Sequence, residues 1–201
     1  MKLYDITQEL LGSVVFPGDP IPERKLLKRI EDGDVCNLSY LQMCAHNGTH
    51  VDAPRHFVKD GITIDQIPLE IWIGNAYVAE FTGDIGADEI KRILSDMDQA
   101  AEKASLGPVK KLLIKGKATL TLEAAEVLAG TDLELFGNES QTVGPEESPV
   151  KVHQLLLGRG MVFLEGIRLG KVPEGIYLLN AAPINVAGSD GSPCRAVLIE
   201  L

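Results

Sequence analysis

Three of the chain's four histidines fall within eleven residues, in His46-Asn-Gly-Thr-His50-Val-Asp52-Ala-Pro-Arg-His56. A spacing of four would stack His46 and His50 on one helical face, but Gly48, Thr49, Val51 and Pro54 all oppose a helix there. An extended segment alternates its side chains between two faces, so His46, His50 and Asp52 are predicted to point the same way. Gly48 lies between them on that face and leaves a gap that an ion can fill. Two imidazoles and a carboxylate form a donor set suited to Zn²⁺ or Mn²⁺. His56 shares their parity but follows Pro54, whose fixed φ is expected to turn it out of the ligand set and into a catalytic position.

The fourth histidine, His153, opens a helical pattern, and Glu165 follows twelve residues later in Val162-Phe163-Leu164-Glu165-Gly166-Ile167. A carboxylate inside an apolar strand needs a partner. A helix, a turn and a strand of this length fold back on themselves, so His153 and Glu165 are expected to face a common site, where coordination would satisfy the acid.

Short runs rich in Val, Ile, Leu, Tyr and Phe predict strands at Ile71–Thr82, Val109–Lys115, Met161–Ile167, Gly175–Asn180 and Cys194–Leu201. A 3.6-residue apolar period predicts a helix over Ala87–Ala104, with Ile90, Ile93, Leu94 and Met97 on its buried face. A second helix is expected over Leu122–Leu128, capped by Thr121 and stopped at Gly130. A third is expected from Ser148 as N-cap, with Pro149 at the first helical position, to Gly158. Strands alternating with helices indicate an α/β class. The first 80 residues hold no convincing helix, so a mixed or barrel-like sheet with helices outside fits better than a doubly wound sheet.

With 201 residues, 45% of them apolar, the chain fits one domain over 1–201 with a core that needs no disulfides. Asp and Glu number 29 against 19 Lys and Arg, and a net charge of −10 repels a phosphate backbone, which argues against nucleic-acid binding. No apolar run approaches the roughly 18 residues of a membrane span, and Asp5 and Glu9 interrupt any signal-peptide core. Cys36, Cys44 and Cys194 are too scattered for a disulfide framework or a C-x-x-C site, so a cytoplasmic location is expected. Cys44 precedes His46 by two residues, which raises a thiolate hydrolase as a rival; a small buried hydrophobe is the ordinary role for such a cysteine.

The segment from His46 to Phe57 resembles the H-x-G-T-H-x-D-x-P-x-H-F signature of the metal-dependent cyclase family, which includes bacterial kynurenine formamidases and isatin hydrolases. Tyr4-Asp-Ile-Thr, Phe16-Pro-Gly-Asp-Pro20, His153-Gln-Leu-Leu156, Leu164-Glu-Gly166 and Gly191-Ser-Pro-Cys-Arg-Ala-Val-Leu198 are similar to other landmarks of that family. The resemblance implies a swivelling β/β/α fold and homo-oligomers, often dimers. It implies His46, His50, Asp52, His153 and Glu165 as ligands of one or two divalent ions, Asp52 able to bridge, with His56 as the catalytic acid/base. The chain departs from the family's G-x-D-x-x-S at Gly137-Asn-Glu139-Ser-Gln-Thr142, where a longer acid would reshape the pocket.

Together these readings predict hydrolysis of a small amide, a formamide or a cyclic amide, by metal-activated water, with Zn²⁺ first and Mn²⁺ as the alternative. Thr49, Arg55 and Arg195 are candidates for substrate contact. A metal-dependent cyclase or lyase and a non-enzymatic metal-binding protein are the other classes the pattern allows.

Overall fold

The computed structural model describes residues 1–200. Strand β1 (Lys2–Asp5) precedes a hairpin of β2 (Glu23–Lys28) and β3 (Leu38–Gln42), and the short β4 (His50–Asp52) follows. A one-turn helix, α1 (Leu69–Trp72), leads into β5 (Ile73–Glu80) and β6 (Gly83–Ile85). Then come α2 (Ala87–Lys103), β7 (Lys111–Lys115), β8 (Ala118–Leu120), α3 (Leu122–Leu128) and β9 (Leu135–Asn138). The remaining elements are α4 (Val150–Gly158), β10 (Val162–Glu165), β11 (Gly175–Asn180), β12 (Gly191–Pro193) and β13 (Val197–Glu200).

Nine strands form one mixed sheet in the order β1-β13-β11-β5-β7-β9-β10-β4-β12, strongly curled into a barrel-like half-shell. Its centre, β5-β7-β9-β10, is parallel, and α2, α3 and α4 supply the crossovers that parallel neighbours require. The flanking pairs are antiparallel. Both faces are apolar, as burial on both sides demands. In β7, Leu112 and Ile114 pack on the helices while Leu113 enters the opposite cluster; in β10, Phe163 takes the helix side and Val162 and Leu164 the other. Helix α2 closes the outer layer by burying Ile90, Ile93, Met97 and Ala101. The α/β class with a mixed, barrel-like core and outer helices is therefore the architecture observed.

Differences from the sequence reading are local. The run at Ile71–Thr82 begins as the last turn of α1, so its strand starts at Ile73. The run at Cys194–Leu201 is strand only over Val197–Glu200; Leu201 lies outside the described residues. Ser148 is not the cap of α4. Pro149 occupies that position in helical conformation, with no side-chain cap. By contrast, Thr121 accepts a hydrogen bond from the Ala124 N–H at 3.3 Å and caps α3 as expected.

These two helix starts make a paired test. Thr121→Ala should cost about 1 kcal/mol, a fall of about 2–4 °C in melting temperature for a chain this size. Ser148→Ala should stay within about 0.5 kcal/mol, because no cap is lost. Thermal unfolding of both variants checks the assignment.

Candidate metal centre

Antiparallel pairing of β4 with β10 sets His50 opposite Glu165 and Asp52 opposite Phe163. Cross-strand partners project from the same face, and Phe163 belongs to the helix-side core. His50, Asp52 and Glu165 therefore all point toward α4, which brings His153 from its first turns. Val51, between the two ligand candidates, faces the opposite cluster.

Each buried imidazole is oriented by the backbone. His50 Nδ1 lies 3.1 Å from the Gly48 carbonyl oxygen and His153 Nδ1 lies 3.0 Å from that of Pro149, so both donate from Nδ1 and turn Nε2 inward. His50 Nε2 is then 3.4 Å from Glu165 Oε2 and 3.5 Å from Asp52 Oδ1. His153 Nε2 is 3.4 Å from Glu165 Oε1 and 4.0 Å from Asp52 Oδ2. The Val143 N–H donates to Glu165 Oε1 at 2.8 Å and fixes that carboxylate. Asp52 Oδ2, fully buried, has no hydrogen-bond partner. An orphaned carboxylate oxygen is costly, and a divalent cation among these N and O donors is the group that fits it.

His46 reaches the centre differently from the prediction. The strand starts only at His50, and His46 sits in a turn closed by Gly48 at φ +68°, a left-handed conformation that suits glycine. Gly48 thus supplies a bend; a Cβ there would meet Leu10 and Ser13, so the glycine does not face the ion gap proposed for it. His46 Nδ1 lies 2.8 Å from Asp52 Oδ1 and its Nε2 lies 3.0 Å from Asp190 Oδ2. Its ring passes so close under the next edge strand that a Cβ on Gly191 would fall 2.4 Å from His46 Cε1. His56 leaves the strand through a 3₁₀ turn that begins at Pro54 and stacks on His46, ring centroids 3.9 Å apart. Its Nδ1 lies 3.2 Å from Asp190 Oδ2, and it is the most exposed of the four histidines.

The donors fall into two groups that share Asp52. One is His50, Asp52 and Glu165; the other is His46, Asp52 and His56, with ligand atoms within 4.8 Å of one another in each. Above them opens a cleft of about 190 Å³ whose walls include Phe16, Phe57 and Pro149. Thus two of the chain's five phenylalanines flank the imidazoles and give the cleft a flat apolar setting.

Charge balance governs the protonation states. Burial works against protonating His46, but the carboxylates of Asp190 and Asp52 on its two nitrogens prevail and raise its pKa to about 11. His50 and His153 follow the same pattern, with burial opposed by Glu165, and both are raised. His56 moves the other way: burial lowers it, aided by the charge of His46, against the pull of Asp52 and Asp190.

The remaining candidates lie elsewhere. Thr49 is buried just before β4, where Oγ1 donates to Gly166 O at 2.7 Å and accepts from Gln8 N at 2.9 Å. Arg55 is exposed and donates to the Lys59 carbonyl, and Arg195 pairs with Asp5 on the surface. None of the three lines the cleft. Glu139 does not reshape it either, because its oxygens accept from the Gly116 and Leu169 N–H groups at 2.7 and 2.8 Å. Thr142 does line the cleft, and its buried hydroxyl has no partner. Cys44 Sγ faces the Asp19 carboxylate at 3.8 Å. Sequence reasoning missed Asp190, which touches His46 and His56 from 144 and 134 residues away. Its only sequence signal was an acid in the turn-like Gly188-Ser-Asp-Gly-Ser.

The metal-free protein should have a defined pH profile. His46, raised from 6.5 to about 11, contributes stability that is complete below pH 6.5 and lost as pH rises toward 11. Asp190, lowered from 3.8 mainly by His46, contributes stability present above pH 3.8 and lost as pH falls. Melting temperature without metal should therefore decline above neutral pH, and saturating Zn²⁺ should suppress that decline. A metal-free profile flat from pH 6.5 to 10 would contradict the charge balance.

The family model described as "Putative cyclase" matches residues 4–145. A kynurenine formamidase of Erythrobacter litoralis is 30% identical over 204 residues, covering 100% of this chain and 94% of its own. One of Paracidovorax citrulli is 32% identical over 206 residues, covering 98% and 95%. Among solved structures, a predicted metal-dependent hydrolase from Bacillus stearothermophilus is 27% identical with a TM-score of 0.79, covering 98% of this chain and 97% of that one. Isatin hydrolase A from Labrenzia aggregata, 21% identical with a TM-score of 0.81 and covering 98% and 93%, shares the fold. On these matches the chain belongs to the cyclase family.

Proposed function

We propose that this chain is a metal-dependent amidohydrolase acting on a small formamide or cyclic amide, with His56 as its proton-transfer group. The observation that carries the reading is the unpartnered, buried Oδ2 of Asp52, ringed by His50, His153 and Glu165 at the floor of an open cleft. His46, His50, Asp52, His153 and Glu165 would hold one or two divalent ions, Asp52 belonging to both donor groups. Zn²⁺ suits this N,O set best, with Mn²⁺ as the alternative. Bound there, such an ion acidifies a water and polarises a carbonyl oxygen.

The chain's own residues supply the rest. His56 is held toward the neutral imidazole, so it can take a proton from water and return it to the leaving nitrogen. Asp190 on Nδ1 fixes the tautomer and leaves Nε2 for that transfer. Phe16, Phe57 and Pro149 give the cleft walls that receive a flat acyl or aryl group and keep bulk water out. The relatives named kynurenine formamidase and isatin hydrolase, which act on an open and a ring amide respectively, support these two substrate types.

The protein is further proposed to work as a single domain over 1–201 and as a homo-oligomer in the cytoplasm. Among the described residues no helix is long and apolar enough to cross a membrane, and the three cysteines are unpaired.

The role of His56 is open to direct test, because its nitrogen also lies within reach of the second donor group. His56→Ala should retain most of its metal and lose on the order of 10²–10⁴ in kcat on an N-aryl formamide. Metal loss on elemental analysis would make His56 a ligand, and wild-type turnover would move the proton transfer elsewhere.

A further inference from the structure

The loop between β9 and α4 carries a polar group that nothing else in the protein uses. Among the described residues three buried side-chain atoms have no hydrogen-bond partner: Asp52 Oδ2, Asn138 Oδ1 and Thr142 Oγ1. The first belongs to the metal centre. Asn138 lines no part of the cleft, whereas Thr142 stands in its wall with His50, His153 and Glu165. Thr142 is only 5% exposed. A buried hydroxyl finds a partner as a rule, and threonine readily bonds a main-chain group near itself. This hydroxyl does neither.

The chain around it is otherwise tied down. The Thr142 carbonyl accepts from Asn138 Nδ2 at 3.1 Å, and the next N–H, that of Val143, donates to Glu165 Oε1 at 2.8 Å. The Val143 carbonyl accepts from Leu120 N at 3.2 Å. On the other side, Gln141 Nε2 donates to Gly48 O at 3.1 Å and its Oε1 accepts from Gln8 Nε2 at 2.8 Å. With its main chain held from both directions, Thr142 moves its hydroxyl by rotation about Cα–Cβ, among three staggered positions. Such a donor is placed before any ligand arrives, and the free protein bears the cost.

A neutral hydroxyl adds little to a donor set that already offers imidazoles and carboxylates. What it can meet is a molecule in the cleft. An amide presents its acyl oxygen, an acceptor that strengthens as attack puts charge on it. We propose that Thr142 is a catalytic residue whose Oγ1 donates to the acyl oxygen of the bound amide. The proposal rests on the amidohydrolase reading above. In the step, the water oxygen adds to the acyl carbon, and the carbonyl π pair moves onto the acyl oxygen that Thr142 faces. The pair returns as the C–N bond breaks. One water proton passes through His56 to the leaving nitrogen, and the other stays on the acid formed. Thr142 keeps its own proton throughout.

Thr142→Val removes the hydroxyl at nearly constant shape, and Thr142→Ser keeps it. Free of metal, the Val variant should melt roughly 2–4 °C above wild type, because a buried group without a partner is gone. Loaded with Zn²⁺, it should hold the wild-type amount of metal and lose on the order of 10²-fold in kcat on an N-aryl formamide, with KM little changed. The Ser variant should keep most of that kcat. A Val variant that melts below wild type, or that releases metal, would make the hydroxyl a structural group and overturn the proposal. Wild-type kcat in the Val variant, or an equal loss in the Ser variant, would overturn it too. A rise in KM alone would place the hydroxyl in substrate binding and refute the catalytic role. A wild type that holds no metal and cleaves no amide would refute the reading beneath the proposal, and the proposal with it; an active wild type beside an equally active Val variant refutes the proposal alone.

Discussion

Two carboxylates, Asp52 and Glu165, stand almost without solvent on adjacent strands of one sheet face. Burying one such charge unpaired is prohibitive, and burying two beside each other is worse. The surroundings answer that demand: His46, His50 and His153 close around them, and the Val143 N–H takes one Glu165 oxygen. In the metal-free chain the compensating positive charge is carried by protons on imidazoles, which is why burial fails to depress their pKa values. A divalent ion held there would take the place of those protons and satisfy Asp52 Oδ2, the carboxylate oxygen the protein leaves bare.

The fold serves this arrangement through pairing and close approach. β4 is only three residues long, yet it is held on one edge by β10 and on the other by β12, so neither His50 nor Asp52 can slide by a residue without leaving the face. The same β12 pairing sets Gly191 opposite Asp52 and carries Asp190 to the rings of His46 and His56. A side chain at residue 191 would occupy the space of the His46 ring, so the glycine there is a packing requirement.

Much of this was legible in the sequence, for reasons that can be named. Alternation along a strand fixed the shared face of His50 and Asp52, and Pro54 announced the break that frees His56. Thr121 announced α3 because capping is local chemistry. What was hidden depends on contacts between distant residues or on a single backbone angle. The turn that delivers His46 follows from the left-handed φ of Gly48, which an assumed extended chain does not contain. Asp190 was one acid among 29, distinguished only by strand pairing across 138 residues from Asp52. The uses of Thr49 and Glu139 are hydrogen bonds to backbone groups far along the chain, and no spacing rule anticipates them. Ser148 failed as a cap because the helix begins at Val150, one position later than expected, which leaves Pro149 in the cap position.

If protons on the histidines are what the metal replaces, binding must expel them. Calorimetric titration of Zn²⁺ into the metal-free protein at neutral pH, repeated in buffers of different ionisation enthalpy, measures that exchange directly. The account predicts an observed heat that varies linearly with buffer ionisation enthalpy, with a slope of at least one proton released per ion bound. A binding heat independent of the buffer would mean that the carboxylates are not neutralised by imidazolium in the absence of metal, and the central claim would fall.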